Sequence, residues 1–162
     1  PSAYALTRAQ NAGIPTAAFD KKNMTQAQFE AALLAVLREH HIGLIVLAGF
    51  LSILSADFIR HYPNRILNVH PSLIPSFCGK GFWGLRVHQA ALDYGVKVTG
   101  ATVHYVNEIP DGGKIILQRA VSVLEGDTPE ILQKRVMEQA EWELLPMATE
   151  QVSAELLESG TV

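Results

Sequence analysis

Cysteine is almost absent from this sequence: Cys78 is the only one among 162 residues. A lone cysteine cannot form an internal disulfide or build a structural zinc site, so we expect a protein of a reducing compartment, the cytoplasm. An excess of positive charge is also absent, because 13 Lys and Arg stand against 16 Asp and Glu. This balance argues against a nucleic-acid partner and favours small-molecule chemistry.

Long hydrophobic runs are missing as well. The longest apolar segments, 42–50 and 114–123, are much shorter than the roughly 20 residues that span a bilayer, so we expect no membrane partner. Internal repeats and low-complexity linkers are not found, while 48% of the residues are hydrophobic. That fraction supports a sizeable core, and we expect one domain over residues 1–162.

Helix and strand patterns alternate along the first two thirds of the chain. Helices are predicted over 2–11, 25–37, 55–62 and 85–94, and strands over 14–19, 43–50 and 65–70. Thr25 and Gln28 have the spacing of a capping box, and Gly13 stands where a left-handed cap belongs. The continuously apolar segment 43–50 is typical of a strand covered on both faces. The pattern predicts an α/β fold with a mostly parallel sheet.

The last third of the chain predicts a different arrangement. Segments 97–106 and 114–123 are strand-like and flank the turn sequence Ile109-Pro-Asp-Gly-Gly113, which favours an antiparallel pair. A final long helix is predicted to start in the segment 127–130, where Pro129 fits the first turn. Pro146 should bend or break that helix.

A pair of polar residues ends the predicted strand 65–70. Asn68 and His70 are two apart, so both point to one face, at the end of the strand where open α/β sheets bind ligands. Leaving either group unsatisfied would cost about 1 to 3 kcal/mol, so each needs a partner or a function. A structural role, in which both fasten the loop 71–75, fits the spacing equally well.

Asp111 offers a carboxylate on the turn between the last two strands. An Asp-Gly pair by itself indicates only a hairpin turn. A carboxylate beside a histidine, however, orients the ring and makes it a better proton donor near neutral pH. His104 shares a strand with Thr102 and could face the crevice or the core, of which we expect the core. We expect His40, His41, His61 and His88 to be structural or solvent-facing.

Two further features suggest no chemistry. No pair of residues has metal-ligand spacing, so we expect no metal, and Cys78 has no activating neighbours. The segment Gly79-Lys-Gly-Phe-Trp-Gly84 matches the spaced glycines of a dinucleotide site. It follows a proline-bounded loop rather than a strand, so we interpret it as a loop near the ligand crevice.

Three strings together carry a family resemblance. They are Asn68-Val-His-Pro-Ser-Leu-Ile-Pro75, Gly95-Val-Lys-Val-Thr-Gly-Ala-Thr-Val-His-Tyr-Val106 and Asp111-Gly-Gly-Lys-Ile-Ile-Leu-Gln118. They resemble the phosphoribosylglycinamide formyltransferases, folate-dependent enzymes of purine synthesis with a Rossmann-like fold. The resemblance extends over essentially the whole chain, and it implies one formyltransferase catalytic domain.

The resemblance implies direct transfer of a formyl group from 10-formyltetrahydrofolate to the amine of glycinamide ribonucleotide. Asn68 would donate to the formyl oxygen, His70 would donate a proton, and Asp111 would hold His70. One preorganised donor to such an oxygen is worth roughly 3 to 4 kcal/mol. The implied contact to the ribonucleotide is Glu141. The implied folate-binding residues are Gln26, Leu51, Ser52, Ile53, Leu54, Asn68, Asn107, Glu108, Ile109, Pro110 and Asp111.

The chain departs from the family pattern at several positions. Gln26, Lys114 and Trp142 replace the family's usual arginine, proline and histidine. The opening strand, helix and strand, with their glycine-rich phosphate loop, have no counterpart, so we expect a fragment. The strand 44–49 would then have an unpaired apolar edge that a second chain must cover, and a homodimer is one such arrangement.

Other readings remain open at this point. A formyltetrahydrofolate hydrolase and a methionyl-tRNA formyltransferase belong to the same superfamily and would share the catalytic residues. A non-catalytic folate-binding fragment is the alternative from a different class, and it predicts folate binding without turnover.

Overall fold

A computed structural model describes residues 3–160. These residues form two compact units, one up to Ile42 and one from Gly43 onward. Within the described residues, no helix is long and apolar enough to cross a bilayer. The expectation of a single domain over 1–162 stays a prediction.

The N-terminal unit contains helices α1 (Tyr4–Asn11) and α2 (Gln26–Glu39), with a short 3-10 turn at Lys21–Asn23 between them. The predicted capping box is present: Gln28 N donates to Thr25 Oγ1 and Thr25 N donates to Gln28 Oε1. The strand predicted over 14–19 is wrong, because this segment has no regular structure. No strand among the described residues pairs with it, and an extended segment without a partner has no ladder to join.

The C-terminal unit is built on a four-stranded sheet in the order β1-β2-β3-β4. Its strands are β1 (Ile45–Leu47), β2 (Ile66–His70), β3 (Val98–Tyr105) and β4 (Ile115–Ser122). β1 pairs with β2 in parallel, whereas β2 with β3 and β3 with β4 are antiparallel. The α/β class and the antiparallel pair β3 and β4 are confirmed. The described sheet is mixed rather than mostly parallel, because β3 follows α4 back in the opposite direction to β2.

Four helices complete this unit. They are α3 (Ala56–Arg60), α4 (Leu85–Tyr94), α5 (Pro129–Val136) and α6 (Trp142–Glu158). The predicted start of the final helical region is confirmed, with Pro129 in the first turn and the Thr128 hydroxyl accepting from Ile131 N. Buried residues of β3, β4 and the final helices form the core. This core supports the sheet from the side of α5 and α6.

Pro146 was expected to bend or break the final helix, and it does not break it, because α6 continues through this residue. The irregularity is instead a π-helical turn at Met137–Glu141, between α5 and α6. In an α-helix a proline ring crowds the carbonyl four residues earlier, here that of Trp142, the first residue after the π turn. The distortion is therefore located upstream of the proline that sequence analysis identified.

A largely buried ion pair fixes the entry to α5. Arg135 Nη2 donates to Asp127 Oδ1 at 2.7 Å, and Leu124 N donates to Asp127 Oδ2 at 2.8 Å. The Asp127 side chain is 3% exposed and that of Arg135 is 17% exposed. Hydrogen bonds from Arg135 hold the pKa of Asp127 below its ordinary value.

We predict that Asp127→Asn lowers the free energy of unfolding by about 2 kcal/mol at neutral pH, because it leaves Arg135 without its carboxylate. Since the folded-state pKa of Asp127 is lowered, this stabilisation is complete above the ordinary carboxyl pKa and is lost as the pH falls through the lowered value. Urea unfolding at several pH values measures it. Asp57→Asn, which removes an exposed pair with Arg60, is the control and should cost less than about 0.5 kcal/mol. Equal losses in the two variants would contradict the prediction.

Candidate active site

The end of β2 brings polar side chains to one edge of the sheet. Asn68 and His70 lie two residues apart on β2, and the register pairs Asn68 with His104 and His70 with Thr102 on β3. Directly opposed residues share a face of the sheet. Asn68 Nδ2 accordingly lies 3.3 Å from His104 Nε2. Sequence analysis assigned His104 to the core, and it is indeed buried, but it also belongs to this cluster.

Asp111 reaches this cluster from the turn between β3 and β4. Its Oδ2 lies 3.5 Å from His70 Nδ1, and its Oδ1 lies 3.6 Å from His104 Nε2. A Cβ added to Gly113 would lie 1.7 Å from the Tyr105 carbonyl oxygen, so this position accepts only glycine. The close backbone approach at Gly113 is what allows the turn to fold back toward β2.

The hydrogen-bond partners define where the ring protons lie. His70 Nε2 is 2.9 Å from the Phe77 carbonyl oxygen, which can only accept, so Nε2 carries a hydrogen. His104 Nδ1 is 2.8 Å from the Tyr105 carbonyl oxygen and carries a hydrogen for the same reason. His104 Nε2 faces two groups, the Asn68 amide nitrogen at 3.3 Å and Asp111 Oδ1 at 3.6 Å. These contacts fix both ring orientations.

The surroundings of Asp111 favour its ionised form. Burial alone would raise the pKa of its carboxyl group, but the His104 ring, the Gly79 N–H and the nearby His70 together lower it. Gly79 N donates to Asp111 Oδ2 at 2.8 Å, the shortest of these contacts. A carboxylate is therefore held beside His70, with its Oδ2 3.5 Å from Nδ1 of that ring.

The loop after β2 supplies part of this arrangement from its backbone. Phe77 has a φ of 48°, in the left-handed region that a bulky side chain rarely adopts. Its ring packs against Phe82 and Tyr94 at centroid distances of 6.3 and 6.0 Å. Its carbonyl faces His70, and two residues later the Gly79 N–H faces Asp111. The loop thus holds both partners of the His70 and Asp111 pair.

A cavity of about 690 Å³ opens at this cluster. The predicted folate-binding residues that line it are Leu51, Ser52, Ile53, Leu54, Asn68, Asn107, Ile109, Pro110 and Asp111. Leu51, Ile53 and Ile109 present exposed apolar surface there. Glu108 is exposed and is not part of the lining. Gln26 belongs to the N-terminal unit, where its amide donates to Glu30, so its contact with folate stays a prediction.

The π turn brings Glu141 to the cavity wall, together with Gln133 and Met137. Burial raises the pKa of Glu141. This is the position that the family resemblance assigned to the ribonucleotide, and the structure places it on the same cavity as His70 and Asp111.

Several residues show features that sequence analysis did not anticipate. His88 is fully buried and neither ring nitrogen has a partner among the described residues. Burial, followed by the nearby His70, lowers the pKa of His88 to about 4. Cys78 donates to the Pro75 carbonyl, and burial raises the pKa of its thiol.

No group of three or more potential ligands within residues 3–160 could hold a metal ion.

Fold and site together define an α/β protein with an amide, an imidazole and a carboxylate at the end of a sheet strand, facing one cavity. The comparisons with known proteins identify the family. Residues 1–149 match the formyl transferase family. The chain belongs to this family.

The relatives are more specific. The chain is 41% identical over 131 residues to a chloroplastic phosphoribosylglycinamide formyltransferase of Arabidopsis thaliana, covering 80% of this chain and 45% of that protein. It is 40% identical to phosphoribosylglycinamide formyltransferase of Bacillus subtilis, covering 84% of this chain and 68% of that one. The crystal structure of glycinamide ribonucleotide transformylase 1 from Symbiobacterium toebii superposes with a TM-score of 0.84 at 41% identity, covering 91% and 68%. The chain thus spans less than half of the Arabidopsis relative.

We predict that His104→Phe raises the pKa of Asp111. The substitution keeps a ring of similar size but removes the largest of the contacts that lower this pKa. A pH titration of the Asp111 carboxyl carbon by NMR measures the change directly. His40→Phe, at an exposed position at the end of α2, is the control and should leave the titration unaltered. An unchanged Asp111 pKa in His104→Phe would mean that His104 does not stabilise the carboxylate.

Proposed function

We propose that the chain transfers a formyl group from 10-formyltetrahydrofolate to the primary amine of 5′-phosphoribosylglycinamide, giving the formylated ribonucleotide of purine synthesis. The observation that carries the proposal is the convergence of Asn68, His70 and Asp111 on one cavity, in a chain of the formyl transferase family. Relatives named for this activity cover most of the chain and support it.

The chemistry requires donors aimed at the formyl oxygen. When the amine attacks the formyl carbon, a C–N bond forms and negative charge develops on the oxygen. One N–H of the Asn68 amide faces His104 Nε2 at 3.3 Å, and the other is the proposed donor to this oxygen. The His70 Nε2 hydrogen, held by the Phe77 carbonyl in the free protein, is the second donor. Preorganised donors of this kind stabilise the tetrahedral intermediate.

The proton balance follows from the same residues. The attacking amine loses a proton, and the folate nitrogen must gain one as its bond to the formyl carbon breaks. Asp111 Oδ2 lies 3.5 Å from His70 Nδ1, so His70 is the proposed proton donor and Asp111 compensates the charge that develops during the transfer. The transfer is direct and forms no covalent bond with the enzyme. The alternatives from the superfamily are not favoured by the relatives.

The cavity offers matching surfaces for both substrates. The apolar side chains Leu51, Ile53, Leu54, Ile109 and Pro110 line the cavity, which suits the flat ring system of folate. Glu141 lies on the cavity wall and is the proposed acceptor for the amine-bearing part of the ribonucleotide. The proposed partners are therefore two small molecules. The cytoplasmic location and the homodimer stay predictions.

We predict that His70→Ala reduces transfer by roughly 10³-fold, the loss expected for a positioned acid. The wild-type chain is incubated with 10-formyltetrahydrofolate and either glycinamide ribonucleotide or water, and the folate absorbance is followed. His40→Ala, which alters an exposed histidine, is the control and should retain the wild-type rate.

The outcomes separate the alternatives. Ribonucleotide-dependent loss of the formyl group supports the proposal, whereas equally fast loss with water alone would indicate a hydrolase. Folate binding without turnover would indicate a binding module. Normal transfer by His70→Ala would show that the assigned roles are wrong.

A further inference from the structure

The charges on the cavity wall are unequal. Two acidic residues, Asp111 and Glu141, line the cavity. Among residues 3–160, Lys80 is the only lysine or arginine in the lining. The ribonucleotide of the proposed function carries a phosphate, and folate carries the carboxylates of its glutamate tail. Anionic substrates would meet two acids and a single cation in this cavity.

Lys80 is located close to the reacting groups. Its neighbour Gly79 donates its N–H to Asp111 Oδ2 at 2.8 Å, so the backbone beside Lys80 is tied to the catalytic carboxylate. Gly79 and Gly81 both have positive φ values, 83° and 97°, which allow the chain to turn sharply on either side of Lys80. Lys80 is thereby held near the site while its side chain remains exposed.

The next part of this loop is also anchored. The Arg86 guanidinium lies 4.5 Å from the centroid of the Trp83 ring, and Trp83 itself lines the cavity. The loop is therefore fixed on one side of Lys80 by Asp111 and supported on the other by Arg86. A cation on such a segment has a defined place in the wall, which lowers the entropy cost of binding a ligand.

The Lys80 ammonium group has no acidic partner among the described residues. Arg60, Arg119, Lys134 and Arg135, in contrast, each pair with a carboxylate. A cation that is already paired gains little from a ligand, whereas an unpaired cation at a cavity wall can form a charge-assisted hydrogen bond with an incoming anion.

We propose that Lys80 binds an anionic group of a substrate, either the phosphate of the ribonucleotide or a carboxylate of the folate glutamate. The proposal rests on the proposed function, because that function supplies the anions. Lys80 is a binding residue here and takes no part in proton transfer.

The test compares Lys80→Gln with the wild-type chain by isothermal titration calorimetry. Four ligands are used: glycinamide ribonucleotide, the riboside that lacks its phosphate, tetrahydrofolate, and the primary amide of tetrahydropteroic acid, which lacks the glutamate and carries no carboxylate. We expect Lys80→Gln to bind one of the two full ligands about tenfold more weakly, and to bind the counterpart that lacks the recognised anionic group with unchanged affinity. A loss of affinity for the ribonucleotide identifies the phosphate as the group that Lys80 binds. A loss of affinity for tetrahydrofolate identifies the glutamate carboxylate.

Two variants serve as controls. Lys80→Arg keeps the positive charge and should restore most of the affinity, whereas Lys97→Gln removes an exposed lysine outside the cavity lining and should change nothing. Thermal unfolding verifies that each variant is folded. Raising the salt concentration should lower the affinity for that ligand more in the wild type than in Lys80→Gln, because the Lys80 contact is electrostatic.

The outcomes distinguish this proposal from the proposed function. Unchanged affinity of Lys80→Gln for both charged ligands overturns the role of Lys80, even where the wild type transfers the formyl group. If Lys80→Gln selectively loses affinity for one of these ligands and the wild type shows no formyl transfer, the binding role of Lys80 is supported and the proposed function is overturned. Absence of binding of all four ligands to the wild type overturns both.

Discussion

The arrangement of the site depends on how the Asp111 carboxylate is held. Its two oxygens face groups from three separate parts of the C-terminal unit: His70 at the end of β2, His104 on β3 and the Gly79 N–H in the loop between β2 and α4. A buried carboxylate is costly unless such donors surround it. Because each donor comes from a different segment, the carboxylate connects the sheet edge, the turn and the loop into one unit.

The backbone contributes as much to this unit as the side chains. Phe77 and Gly79 are two residues apart, and they hold His70 and Asp111 respectively. The loop that carries them is fastened upstream, where the Thr102 hydroxyl donates to the Ser72 carbonyl and accepts from Ile74 N. Thr102 lies opposite His70 in the register. The same pair of strands therefore positions the His70 ring and the loop that orients it.

Sequence analysis could predict the parts of the site that depend on local periodicity. The shared face of Asn68 and His70 follows from the two-residue period of a strand. The turn sequence predicts only the hairpin at Asp111, and its place beside His70 was implied by the family resemblance. Sequence analysis placed His104 in the core but could not place it beside Asn68 and Asp111, because that depends on the register of β2 against β3 and on an irregularity between Val103 and His104 in the pairing with β4. The absent strand over 14–19 has a similar cause: its local pattern was suitable, but strand formation requires a partner elsewhere in the chain.

The final helical region shows how a local irregularity serves both packing and the site. Its buried positions recur every four residues: Leu132, Val136, Ala140, Leu144, Ala148 and Val152. In an ideal α-helix each such step drifts by about 40°, so the buried stripe would rotate away from the sheet. The π turn at Met137–Glu141 contains more residues per turn and opposes this drift. It also keeps Gln133, Met137 and Glu141, again four apart, on the cavity side. The π turn therefore allows one helical segment to keep one set of residues in the core and another set on the cavity wall.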